Sequence, residues 1–114
     1  MTRFTPWYAA AAIPSEAPAE PGMFQVRTAE LLVYPCGRSA MVHYAAAADL
    51  RAAMQAWAQA HAEHAGLRFR HCAELGAQTP AQFLAKLEGR FIERFGCAPA
   101  LSPRAAALRG LEHE

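Results

Sequence analysis

One side chain stands out of keeping with its neighbours. At about 100° per residue, Phe83, Leu84, Leu87, Phe91, Ile92 and Phe95 fall on one arc of a helix, and Glu88 lies inside that arc rather than opposite it. An unpaired buried charge costs several kcal/mol, so this carboxylate needs an arginine, a metal ion, water or hydrogen-bond donors, or else a proton. Two chemistries suit it: an ion pair at the edge of a sheet, or service as a metal ligand or acid/base group. The pattern alone leaves both open.

Other residues of chemical type are more scattered. Arg68 and Arg70 alternate with Leu67, Phe69 and His71, so the two arginines share one side of a strand, where they face phosphate or solvent. His61 and His64 stand three apart, and with His71 or Cys72 they can be drawn as a transition-metal site, although no pair has a recognised ligand spacing. Cys36 sits in a turn with only Arg38 as a cation close in sequence, which makes it an ordinary thiol. Walker, GxSxG, HExxH and dinucleotide motifs are absent.

The elements that must position these residues are legible in outline. Pro6, Pro14, Pro18 and Pro21 punctuate residues 1–21, predicting an irregular arm that Phe4, Trp7 and Tyr8 pin to the body. Short strands are predicted at Met23 to Arg27, Leu31 to Tyr34 and Met41 to Tyr44, the last two joined as a hairpin through Pro35-Cys36-Gly37-Arg38-Ser39. After Asp49 as N-cap, Leu50, Met54, Trp57 and His61 recur at helical spacing until Gly66. A strand over Leu67 to Cys72 follows. Thr79-Pro80-Ala81-Gln82 then combines a capping Thr, Pro at the first helical position and a capping-box Gln, and Gly96 ends the helix so begun. Ser102-Pro103 is read as the cap of a last short helix through Leu108.

Composition bounds the classes. A chain of 114 residues, 54% hydrophobic and 18% charged, suits one folded domain with a modest core. No apolar run reaches the roughly 20 residues of a membrane helix, and the alanine-rich opening lacks signal-peptide character, so no membrane partner and a cytoplasmic location are expected. The three cysteines are odd in number and unpaired in spacing, which predicts neither a disulfide framework nor a zinc motif. A net charge of +1 argues against a strongly basic nucleic-acid binder but leaves room for a local patch. Ten of the eleven basic residues are arginine, which with the abundant alanine suggests a GC-rich bacterial source.

The order strand, hairpin strand, helix, strand, helix with an inward Glu resembles the GIY-YIG nuclease domain. Pro21-Gly22-Met23-Phe24 resembles the family's opening motif, Val42-His43-Tyr44-Ala45 its YIG strand, Asp49-Leu50-Arg51 the start of its first helix, and Ala85-Lys86-Leu87-Glu88 with Phe91-Ile92 the helix carrying its metal-binding Glu. The match spans about residues 21 to 95. It implies a small α/β (α+β) domain over residues 22–96, with a short, mostly antiparallel sheet of three to four strands, two main helices, and a tail over 97–114.

The resemblance also implies site residues. Family nucleases use two Tyr, an Arg one turn into the first helix, and the Glu, which holds a divalent ion; here those positions are Phe24, His43, Ala53 and Glu88. Only Glu88 is unchanged. Phe24 has no hydroxyl to orient water, and Ala53 supplies no cation to offset charge on phosphate. His43 can act as base where the phenol did, Glu88 can hold Mg²⁺ or Mn²⁺, and Arg51 or Arg70 can supply a cation, with Arg68 beside it. The expectation is a divergent GIY-YIG-like protein associated with DNA or RNA, its metal-dependent endonuclease activity weakened or lost. The alternative is a small module that binds a protein partner or a second copy of itself and has no nucleic-acid role.

Overall fold

The computed structural model describes residues 3–73 and 75–101. Along the chain run β1 (Tyr8–Ala9), a turn of 3-10 helix (Ala10–Ala12), α1 (Ile13–Glu16), β2 (Gly22–Tyr34), β3 (Gly37–Ala47), α2 (Leu50–Ala60), β4 (Arg68–Cys72) and α3 (Pro80–Phe95). The strands form one antiparallel sheet in the order β1-β4-β2-β3, as expected of a small α+β domain. Among the described residues no helix is long and apolar enough to cross a membrane. The short helix read at Ser102-Pro103 lies outside the described residues.

β2 is the spine of this sheet. Two of the expected short strands merge into it across an irregularity between Arg27 and Leu32, and the third lengthens into β3. Pro35 and Cys36 make the turn between them. Alternation along β2 sends Phe24 and Val26 to one face, where they meet Ile13, Leu50, Met54 and Phe69, and sends Met23 to the other, where it meets Cys72 and Phe83. Both faces are therefore covered, the first by α1 and α2, the second by α3.

A bulge in β3 breaks strict alternation. Val26 pairs with His43 but Arg27 pairs with Met41, so Val42 has no opposite number. Val42 then joins the α2-side core while His43 stacks near Phe24 and Trp57 on that same side. Tyr44 returns to the other face and packs edge-on against Phe91 of α3.

The helix starts follow their sequence signals. Asp49 accepts from the Ala52 amide at 3.1 Å, and Thr79 with Gln82 completes a capping box. Gly96, at φ 89°, closes α3 in the left-handed region that glycine adopts freely. α2 ends at Ala60, earlier than the expected run to Gly66, because the His61 ring turns back to the Trp57 carbonyl at 2.9 Å and the chain leaves the helical path.

Over residues 3–21 the arm is more ordered than its prolines suggest. Tyr8 and Ala9 add a strand to the open edge of β4, the Tyr8 phenol lies 2.7 Å from His71 Nδ1, and Phe4 stacks on Phe83. Ile13 and Ala17 are buried in the α2-side core, and the Leu50 and Arg51 amides donate to Glu20 and Pro18. Prolines fix the corners between these contacts. The arm is thus part of the core, and Ile13→Ala is expected to lower stability by about 2–5 kcal/mol. Urea denaturation measures this, and an unchanged midpoint would mean that the arm packs loosely.

Candidate functional site

Glu88 lies midway along α3 at the margin of its buried arc, and it is part-buried rather than enclosed. Phe83 and Phe91 are the buried residues of that arc, with Leu84 and Leu87 packed against the Phe83 cluster. No hydrogen bond or ion pair involves the Glu88 carboxylate among the described residues. No three His, Cys, Asp or Glu side chains come together as a metal-binding group among them either.

His43 occupies the opposite side of the sheet. It is 5% exposed, between Phe24 at 5.6 Å and Trp57 at 5.0 Å between ring centroids, and Trp57 in turn stacks on His61 at 3.9 Å. Its Nδ1 has no hydrogen-bond partner among the described residues. Burial pushes the imidazole pKa down to about 4, with charge on His61 acting in the same direction and a backbone group of Leu101 acting against it. At neutral pH the ring is a neutral member of an apolar column.

The sheet therefore separates the two residues read as base and metal ligand. His43 faces α2, and Glu88 belongs to the helix on the other face. Phe24 is core, and Ala53 packs against the same cluster. Arg51 stands at the start of α2, with its Nε donating to the Ala17 carbonyl at 2.8 Å, so it fastens the arm and does not join Arg68 or Arg70.

What the fold does bring together is a set of arginines on the α3 side of β2 and β4. Arg27 lies directly opposite Arg68, and Gln25 directly opposite Arg70, so all four side chains leave the same face. α3 crosses β3 and β2 on this side, leaving the β4 flank to Phe4 and Trp7 of the arm. The Trp7 ring is in contact with two guanidinium groups, Arg27 and Arg70, each 4.4 Å from its centroid. Arg70 is itself held between Trp7 and the Phe4 ring at 4.8 Å, and its Nε donates to Gln25 Oε1 at 2.7 Å.

None of these three cations has a carboxylate within ion-pair distance among the described residues. Arg68 is exposed and donates only to its neighbour's carbonyl, Leu67, at 3.2 Å. Burial lowers the Arg70 pKa, the Tyr44 phenol opposes that shift, and the charge on Arg27 adds to it. Like charges directly opposite on neighbouring strands repel. An anion placed over this face would relieve that repulsion.

Arg68 and Arg70 were marked by alternation alone; Arg27 and Trp7 were not. The alternation of Gln25 and Arg27 around Val26 carries the signal for Arg27, but it requires the β2–β4 register. Trp7 requires knowing that the arm crosses β4.

The other polar pair of the α2 side is structural. Burial lowers the His71 pKa, opposed by Glu16 and Glu20, while burial raises that of Tyr8, so the hydrogen bond joins a phenol and a neutral imidazole.

No protein-family model matches this chain, and no curated protein or solved structure is found to be similar to it.

The orphaned His43 nitrogen gives a pH signature. Its folded pKa lies below the value of about 6.5 in an unfolded chain, so the stability that depends on the neutral ring is complete above that pH and falls as pH drops toward about 4. The full loss is about 3 kcal/mol. Urea midpoints from pH 7.5 to 4 should fall more steeply for the wild type than for His43→Leu, with His71, whose pKa burial also lowers, contributing to the slope left in the variant. Parallel curves would mean that His43 is not buried in the neutral form.

Proposed function

We propose that this chain is a divergent GIY-YIG-like module that holds nucleic acid by its phosphate backbone and does not cut it. The observation that carries this reading is the group of three guanidinium ions, Arg27, Arg68 and Arg70, on one sheet face with no acidic partner among the described residues. Arginine presents a planar fork of donors suited to phosphate oxygens, and stacking on Trp7 holds two of the forks in place before a ligand arrives.

The adjacency of Phe24 to Ala45 across β2 and β3, the helix beginning after Asp49, and Glu88 within the last helix are in keeping with the family resemblance. The chemistry of cutting is not. A base and a metal ligand must reach one phosphate, and here the sheet lies between His43 and Glu88. Glu88 is one carboxylate, whereas Mg²⁺ and Mn²⁺ take several oxygen ligands, so the donor set among the described residues does not by itself fit either ion.

A protein-binding role has one observation in its favour. Leu31 and Val33 on the far part of the β2–β3 hairpin are 64% and 81% exposed. A salt response tells the two apart.

Binding to a short DNA duplex, followed by fluorescence anisotropy between 50 and 200 mM salt, should weaken with a log–log slope of roughly −2 to −3, corresponding to three phosphate contacts. Arg68→Ala should weaken binding to all sequences alike and lower the slope by about 1. No strand scission is expected with Mg²⁺ or Mn²⁺. Absence of binding at 50 mM salt would remove the nucleic-acid reading and favour the protein-binding one, and scission that Glu88→Ala abolishes would remove the non-cleaving half.

A further inference from the structure

Two depressions adjoin at the start of β4. One, of about 400 Å³, is lined by Ala10, Ala58, Ala62, His61, His64 and Phe69 among others, at the end of α2 and against the arm. The second, of about 330 Å³, is lined by Arg27, Thr28, Ala29, Ala40, Gly66 and Arg68. Gly66 and Arg68 line both, so the two adjoin at the start of β4, an apolar, imidazole-bearing lobe on the α2 side next to a cationic lobe on the arginine side, and together they make a cleft around that end of the sheet. Gly66 has φ +76°, and a Cβ there would come within 3.2 Å of Ala29, so the saddle between the lobes is kept low by the lack of a side chain.

The division of chemistry matches one unit of a nucleic-acid strand. No acidic residue lines either lobe, which suits a phosphate in the cationic one. A base needs an apolar or aromatic surface, and Trp7 is already engaged by Arg27 and Arg70, each 4.4 Å from its ring centroid. His61 can provide such a surface. One face of its ring is stacked on Trp57, and the ring lines the apolar lobe beside Phe69. Each lobe is of a size found in small-molecule sites.

Resting on the nucleic-acid reading above, we infer that this cleft takes a single unpaired nucleotide, its phosphate on Arg27 and Arg68 and its base against His61 in the alanine-lined lobe. A base inside a duplex cannot enter, since it is already paired and stacked. The protein therefore prefers strands with an unpaired end to blunt duplexes, beyond the preference that charge alone would give.

The test uses the full chain and four probes: adenosine monophosphate, inorganic phosphate, a blunt duplex, and the same duplex with a three-nucleotide overhang. Base stacking predicts that the monophosphate binds ~10-fold or more tightly than inorganic phosphate, and the overhang duplex more tightly than the blunt one by a similar factor. Ala62→Phe, and separately Ala10→Leu, fill the apolar lobe from exposed positions. Each should bring the monophosphate down to the level of inorganic phosphate while blunt-duplex binding and its salt slope stay as they were. Equal binding of monophosphate and phosphate, or full monophosphate affinity in both variants, overturns the nucleotide cleft. If blunt duplex still binds with its salt slope in that case, the broader phosphate-binding role survives; if no probe binds at 50 mM salt, both fail.

Discussion

Two guanidinium groups share one indole ring, and the character of the molecule's α3 side depends on that contact. Arg27 and Arg70 repel one another and repel Arg68, and no carboxylate among the described residues offsets them. Each cation–π contact supplies about 0.5–1 kcal/mol at an exposed site and more where water is excluded. Trp7 thus holds apart and in order what would otherwise splay into solvent. The arrangement gathers three guanidinium groups on one face, in a protein whose net charge of only +1 gives no general attraction to polyanions. The phosphate affinity that the proposed function requires must therefore come from local geometry.

That geometry needs the arm. Tyr8 and Ala9 extend the sheet past β4, Phe4 reaches Phe83, and Ile13 and Ala17 fill the α2-side core, so Trp7 is carried to its place by contacts on both sides of it in sequence. The same sheet keeps two other chemistries apart. On the α2 side His43 is held neutral in a column of rings; on the α3 side Glu88 lies at the edge of a helix. Burial of an unsatisfied imidazole nitrogen lowers stability, and Phe24, Val42 and Trp57 around it offset that by close packing.

How much of this could be read from the residues varies with the range of the interactions. Local signals were clear: Thr79, Pro80 and Gln82 fix the start of α3, Gly96 its end, Asp49 the start of α2, and Pro35-Cys36 the hairpin turn. Glu88 proved to lie at the margin of its arc, whose buried residues are Phe83 and Phe91. Which face His43 takes depends on a bulge at Val42, and nothing local in the sequence marks that bulge. Trp7 and Arg27 join Arg70 only through strand register and the docking of a proline-rich arm, both long-range events. Pairing a base with a metal ligand, as the family resemblance implied, therefore put together residues that the sheet separates.

The central claim is that one arginine-bearing face of the sheet is the ligand surface. Side-chain NMR of the arginine Nε–Hε groups during titration with duplex DNA at low salt tests it most directly. The account predicts that the Arg27, Arg68 and Arg70 signals move together and saturably, while Arg51 and the α3 amides around Glu88 stay still. Movement centred on Glu88 and Arg90, with the three arginines unaffected, would contradict it.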